Sequence, residues 1–325
     1  MNEAFLEVVN LRTHFKTPEG VAKAVDGVSF SIARGETLAI VGESGCGKTV
    51  TAFSLIRLLP KNAKMTADKI SLEGMDILNL NNEEIRSIRG RQIAMVFQEP
   101  MTSLNPSYKV GRQIREVFRT HFPSMKDTEI REKTLSIFSR VGIPDPEQRL
   151  EAYPHQLSGG LRQRVMIAIC LAANPPLVIA DEPTTALDVT IQAQILDLLA
   201  SLQSENNMSI ILITHDFGVV SQVAHRVAVM YAGKIVEEGT TTEVFTNPLH
   251  PYTQLLIMSI PGIKVKRGGL LEVISGSVPN PMKFPQGCRF HTRCPFVADI
   301  CRESDPPERW VNNRRVCCFM AEEVS

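Results

Sequence analysis

Gly42-Glu43-Ser44-Gly45-Cys46-Gly47-Lys48-Thr49 is the stretch that decides the fold. It follows the apolar run Thr37-Leu38-Ala39-Ile40-Val41 and precedes a helical stretch, which is the strand-to-helix context a phosphate-binding loop requires. Glycines at 42, 45 and 47, with small Ser44 and Cys46 between them, let backbone N–H groups point inward at phosphate oxygens. The helix start adds a field that favours anions. Lys48 reaches the β and γ phosphates, the Thr49 hydroxyl is suited to Mg²⁺, and Thr51, two residues further on, is counted with the nucleotide-contacting set. A glycine turn with no ligand is the competing reading, and the flanking strand and helix weigh against it.

Beyond the loop, Ile93-Ala94-Met95-Val96-Phe97, Leu177-Val178-Ile179-Ala180 and Ile210-Ile211-Leu212-Ile213 read as further strands. Their unbroken apolar character fits central strands buried on both faces. Amphipathic stretches alternate with them, so residues 1–260 are expected to form an α/β domain. Residues 221 to 240 read as a strand, an Ala232-Gly233 turn and a second strand, an antiparallel pair. Between about 105 and 172 the apolar spacing becomes helical, with Ile114, Val117 and Phe118 and then Leu135, Phe138 and Val141, which predicts a helical insert. Seven of the 20 prolines follow residue 260 and no apolar period is sustained there. Residues 261–325 therefore read as an irregular extension that needs something besides a core to hold it, with Trp310 as packing.

The 325 residues carry 35 Lys+Arg against 35 Asp+Glu, a net charge of zero that speaks against a nucleic-acid partner. With 43% hydrophobic and 22% charged residues the chain can bury a sizeable core, which excludes global disorder. The longest apolar run, Val165 to Ala173, is far short of the roughly 20 residues that cross a bilayer. Met1-Asn2-Glu3 opens without the basic head and apolar stretch of a secretory signal, so a cytosolic location is expected.

Two further elements carry chemistry. The Leu177 run ends in Asp181-Glu182, one carboxylate at the strand tip for the metal and the next within reach of an attacking water. Alone, such a pair is as well explained as surface acids after a core strand. Leu157-Ser158-Gly159-Gly160-Leu161-Arg162-Gln163-Arg164 sets a hydroxyl and two bare backbone positions at a helix start, a second anion site. One nucleotide does not need two phosphate cradles, so this one is expected to serve a nucleotide held by a neighbouring subunit.

Together, the loop, Leu157-Ser158-Gly159-Gly160 and the Asp181-Glu182 strand resemble the ATP-binding cassette of ABC transporters over about residues 5 to 260. The resemblance implies a P-loop NTPase fold, a RecA-like core with an antiparallel β subdomain and a helical subdomain. It also implies that Gln98 is the Q-loop glutamine, Asp188 the D-loop aspartate and His215 the switch histidine. Phe15 matches the aromatic that stacks on adenine, with His14 as its competitor. His155 and His225 read as structural. Gln98-Glu99-Pro100-Met101-Thr102-Ser103-Leu104-Asn105-Pro106, His250-Pro251-Tyr252-Thr253 and Gly287-Cys288-Arg289-Phe290-His291-Thr292-Arg293-Cys294-Pro295 resemble the oligopeptide, dipeptide and nickel importer branch, and most of all the D-type ATPases of bacterial dipeptide and oligopeptide importers.

That resemblance implies an ATP- and Mg²⁺-dependent ATPase at the cytoplasmic face of the inner membrane. Its expected partners are a second ATPase subunit, generally a different sister chain, two transmembrane permeases and an extracytoplasmic peptide-binding protein. A nickel or glutathione importer is the alternative. A soluble cassette ATPase of DNA repair or translation would carry a coiled-coil insertion or tandem cassettes, and neither is present. A regulatory module that holds ATP without cleaving it fits poorly with Glu182 and His215. In the extension, Cys288, Cys294, Cys301 and Cys317 are spaced by five, six and 15 residues, with Cys318 as a competing fourth ligand and His291 nearby. Four thiolates in a coreless segment suit a [4Fe-4S] cluster or a tetrahedral zinc, and the lack of C-x₂-C pairs favours the cluster. Free buried cysteines are the remaining possibility.

Overall fold

The computed structural model describes residues 4–185, 188–260 and 274–322. The chain forms two compact units, one of residues 1–79 and 212–325, the other of residues 80–211. No helix among the described residues is long and apolar enough to cross a membrane.

The first unit opens with a long antiparallel hairpin, Leu6–Thr17 against Gly20–Ile32, which the sequence had not singled out. Its inward residues change parity along the strand: Leu6 and Val8 are buried, then Leu11 and Thr13. The cause is a bulge at Asn10, whose backbone adopts φ 52° and whose N–H donates to the Ser29 hydroxyl at 2.8 Å. One extra residue shifts the side-chain phase and keeps an apolar face on the core. Ala63–Thr66 and Lys69–Leu72 pair antiparallel with the same strand, and Met75–Asp76 pairs with Lys69–Leu72 to complete a five-stranded sheet.

In the same unit Thr37–Val41 is buried throughout and runs parallel to Arg226–Tyr231, which turns through Ala232 and Gly233, both left-handed, into antiparallel Lys234–Thr240. The first strand of this hairpin starts later than expected. Residues up to Val223 form the helix Phe217–Val223, because Asp216 caps it by accepting from the Gly218 and Val219 N–H groups at 2.8 and 3.3 Å.

The described part of the extension, residues 274–322, holds regular elements that the sequence did not suggest. Arg309–Val311 and Arg314–Val316 form a hairpin through Asn312-Asn313, both left-handed, and Arg314–Val316 adds to the sheet beside Lys234–Thr240. Asparagine tolerates that backbone region better than most residues, which makes so short a hairpin possible. Two buried acids receive the added strand. Glu237 lies 3.6 Å from Arg314 and accepts from the Leu249 and His250 N–H groups, both at 2.9 Å, while Glu238 pairs with Arg226 and Arg315. Burial pushes both carboxyls up from the usual range, opposed at Glu237 chiefly by the Leu249 and His250 N–H groups and at Glu238 by Arg315 and Arg226. Phe290 buries against Tyr231 and Tyr252, with ring centroids 5.1 and 5.3 Å away. Trp310 does not pack as expected: on the edge strand it is 69% exposed.

In the second unit Ile93–Val96 and Leu177–Asp181 pair in parallel, Ile93 opposite Leu177 and Val96 opposite Ala180, and all these residues are buried. The expected helical insert comprises Val110–His121, Asp127–Arg140, Pro146–Leu150 and Gly159–Leu171. Val110, Ile114 and Phe118 face inward on the first of these, and Ile130, Thr134 and Phe138 on the second, where Thr134 takes the inward place expected of Leu135.

Candidate functional site: a nucleotide loop and its partners

The loop from Gly42 leaves the buried strand Thr37–Val41 and enters the helix Lys48–Leu55. Two of its glycines are required by space as well as by backbone angle. A Cβ on Gly42, at φ 150°, would lie 2.1 Å from the Met230 carbonyl oxygen, and one on Gly47, at φ 112°, would lie 2.3 Å from that of Ala24. Gly45, at φ 78°, has open space around it, so there the angle alone selects glycine. Gly47 caps the helix without a side chain, which leaves the helix start open to an acceptor supplied by a ligand.

Lys48 is buried and turned back on its own loop. Its Nζ donates to the carbonyl oxygens of Gly42 at 2.7 Å and Glu43 at 3.1 Å. These bonds hold a charged ammonium in the concavity where a phosphate would need it. Cys46 points inward and burial pushes its thiol up. The Thr51 hydroxyl donates to the Gly47 carbonyl at 3.0 Å and is fully buried, so this residue braces the helix start from the core side. Phe15 is half-buried on the strand Leu6–Thr17, opposite Ala22 and Ala63, while the His14 ring is engaged by Asp26 at 3.2 Å. His215 is exposed, directly after Ser209–Thr214.

Two residues to which the sequence reading gave no role secure the loop. The Glu43 N–H donates to the Tyr252 hydroxyl at 2.9 Å, and Arg293 grips the Glu43 carboxylate with both terminal nitrogens, at 2.7 and 2.9 Å. Both lie in motifs that mark the importer branch, but a separation of some 200 residues or more hides such a pairing from local patterns.

In the second unit Asp181 ends its strand 1% exposed, and Glu182 follows at φ 47°, a left-handed backbone uncommon for glutamate. The turn aims the carboxylate: Oε2 accepts from Gln98 Nε2 at 2.8 Å and from the Thr185 hydroxyl at 2.9 Å. Gln98 and Glu182, 84 residues apart, are thus brought together, and Thr185 is a partner the sequence did not suggest. Ser158 caps Gly159–Leu171, its Oγ accepting from the Leu161 N–H at 3.4 Å. Gly160 has Ile191 Cγ2 3.0 Å from where a Cβ would stand, which keeps the position bare. Asp188 caps Val189–Asn206 through an acceptor bond from the Ile191 N–H at 2.9 Å. The serine motif and the aspartate therefore meet on Ile191.

The regions around these motifs decide the family. A model for the ABC transporter family matches residues 25–185, and one for the C-terminal region of oligopeptide/dipeptide transporters matches residues 236–301. A dipeptide transport ATP-binding protein, DppD, of Haemophilus influenzae is 47% identical over 97% of this chain and 95% of its own. The chain belongs to the ABC transporter ATPases, in their oligopeptide/dipeptide branch. The Bacillus subtilis DppD protein is 51% identical over 92% of this chain and 89% of its own, and the oligopeptide transport ATP-binding protein AppD of that organism 49% over 98% and 97%. Among solved structures, the dimeric post-hydrolysis ATP-binding cassette MJ0796 bound to ADP and Pi matches with TM-score 0.66 and 28% identity over 73% of this chain and 98% of its own. The ABC fold expected from the sequence is therefore this cassette's fold, and ATP hydrolysis is the activity of its family.

Five cysteines of the extension lie around two small cavities, and Cys288 lines both. Cys288, Cys294, Cys301 and Cys318 line one small cavity together with His250 and His291. Cys317 lines a neighbouring cavity with Lys234 and Asp305. Cys317 and Cys318, which follow the strand Arg314–Val316, thus line different cavities. Among the described residues no three His, Cys, Asp or Glu side chains are gathered as around a metal ion. Burial pushes the Cys288 thiol up to about 11 and that of Cys318 up to about 12.

Proposed function

We propose that this cassette is the ATP-hydrolysing subunit of an importer for dipeptides or oligopeptides, working peripherally at the cytoplasmic face of the cell membrane. The observation that carries the reading is 47% and 51% identity to two dipeptide transport ATP-binding proteins, over 97% and 92% of this chain, joined to a phosphate loop. Two ATP molecules are sandwiched head to tail between this subunit and a second ATPase, generally a sister chain. Gly42 to Thr49 receive the phosphates and Lys48 exchanges a loop carbonyl for a phosphate oxygen. Thr49, Asp181 and Gln98 would hold Mg²⁺, which supplies charge neutralisation at the phosphates when bound. Glu182 polarises the attacking water, His215 steadies the γ-phosphate, Phe15 stacks on adenine and Asp188 links the two sites. Ser158, Gly159 and Gly160 complete the partner's site. Closure on ATP and reopening after hydrolysis drive two transmembrane permeases fed by an extracytoplasmic peptide-binding protein.

The domain reading that goes with this is a cassette over residues 1–260 and an extension over 261–325. Four thiols around one cavity are a soft donor set that suits a [4Fe-4S] cluster or zinc, and Cys288, Cys294, Cys301 and Cys318 would hold it. Anaerobically purified protein is expected to be coloured and to contain iron and acid-labile sulfide. Cys318→Ser should abolish both and Cys317→Ser should keep them; colourless protein with one zinc per chain decides for zinc.

The whole reading is tested by co-purifying the chain with its permeases and reconstituting them in vesicles with the binding protein. ATP-dependent uptake of a labelled dipeptide or short oligopeptide is expected. Uptake of nickel or glutathione but not peptide would overturn the peptide assignment.

A further inference from the structure

Glu43 is the second residue of the phosphate loop, and its carboxylate places a negative charge beside the position where a triphosphate, itself strongly negative, is to bind. Its backbone is fixed on both sides, the N–H by Tyr252 at 2.9 Å and the carbonyl by Lys48 at 3.1 Å, so the carboxylate cannot swing far from the loop. Uncompensated, it would repel the ligand, and a charge beside a partly buried site is screened only weakly.

The compensation comes from the C-terminal extension. Arg293 offers both terminal nitrogens to the two Glu43 oxygens, a bidentate grip that lysine cannot reproduce. The guanidinium is itself held rigidly. Its Nε donates to the Ser275 carbonyl at 2.8 Å, Nη2 to that of Ile274 at 3.3 Å, and Nη1 lies 3.4 Å from the Tyr231 hydroxyl. The Arg293 side chain is 4% exposed against 28% for Glu43, so the cation is the buried half of the pair and the carboxylate the half nearer solvent.

We propose that Arg293 is a positioning residue for nucleotide binding: it cancels the Glu43 charge and fixes the loop, so that the extension sets the affinity of the phosphate site. This rests on the ATPase reading and goes beyond it, because it gives the extension a part in binding ATP.

The test is calorimetric titration of the full chain with Mg-ADP, alongside thermal unfolding without nucleotide. Arg293→Gln should weaken ADP binding roughly 10- to 100-fold, as expected when one partner of a close charge pair is removed. The double variant Glu43→Gln/Arg293→Gln should recover most of that loss, because the carboxylate that repelled the phosphates is then gone. A merely structural arginine would lower the unfolding temperature in both variants without any such recovery. Unchanged affinity in Arg293→Gln, or a double variant no better than the single, overturns the proposal. Should Arg293→Gln fail to fold, Arg293→Lys keeps a cation beside Glu43 and should retain most of the affinity; a 10- to 100-fold loss there would show that cancelling the Glu43 charge is not what the arginine does and would overturn the proposal. A wild-type chain that binds no Mg-ADP would instead fail the ATPase reading, and this proposal with it.

Discussion

Replacing Glu182 with glutamine is expected to leave ATP binding near wild type and to slow turnover by about 10²- to 10⁴-fold, the usual worth of a positioned general base. The substitution is isosteric, and its amide can still accept from Gln98 and Thr185, which now bond Oε2 at 2.8 and 2.9 Å. What is lost is the charge and basicity that polarise water. The left-handed backbone at residue 182 burdens both side chains alike, so no new strain confuses the comparison. Stopped-flow binding of a fluorescent ATP analogue and a steady-state phosphate assay separate the two effects. Wild-type hydrolysis by the variant would remove Glu182 from the chemistry, and equal loss of binding and turnover would make it a binding residue.

Gly47→Ala is expected to be strongly destabilising for a single added methyl group. At φ 112° the new Cβ meets the Ala24 carbonyl oxygen at 2.3 Å and Met230 Cε at 2.7 Å; a methionine tip can move, but the backbone carbonyl cannot without disturbing the strand that carries it. Angle strain of about 1–3 kcal/mol is then joined by a clash of comparable size. Gly45→Ala supplies the control: φ is 78° and nothing lies within 4 Å, so it should cost about 1 kcal/mol. Denaturant midpoints of the two variants, with and without Mg-ADP, check this. Gly47→Ala should be the less stable and should gain nothing from nucleotide, whereas equal midpoints would show that the loop relaxes freely.

The parts legible in the sequence are those whose physics is local. Thr37–Val41, Ile93–Val96 and Leu177–Asp181 are buried on all sides, so unbroken apolar runs reveal them, and the chemistry at two of their tips is read off the next residues. Leu6–Thr17 escaped because the bulge at Asn10 breaks its alternation midway. The hairpin at 309–316 escaped because three-residue strands carry almost no pattern, and its stability comes from buried pairs with Glu237 and Glu238 over 70 residues away. Trp310 misled because size suggested burial, whereas an edge strand offers it none. That Cys318 and not Cys317 lines the cavity shared by Cys288, Cys294 and Cys301 is a matter of tertiary packing, and spacing alone contains no such information. The link from Arg293 to Glu43 spans 250 residues and was beyond any motif.

In the proposed function ATP is cleaved at an interface, the phosphate loop of one subunit being closed by Ser158, Gly159 and Gly160 of its neighbour. The most direct measurement is the ATPase rate per chain as a function of assembly, with oligomeric state fixed by light scattering in the same samples. Strictly monomeric chain should be nearly silent and activity should rise as the subunit joins its partner ATPase and permeases. A monomer that turns over ATP as fast as the assembled transporter would contradict the account.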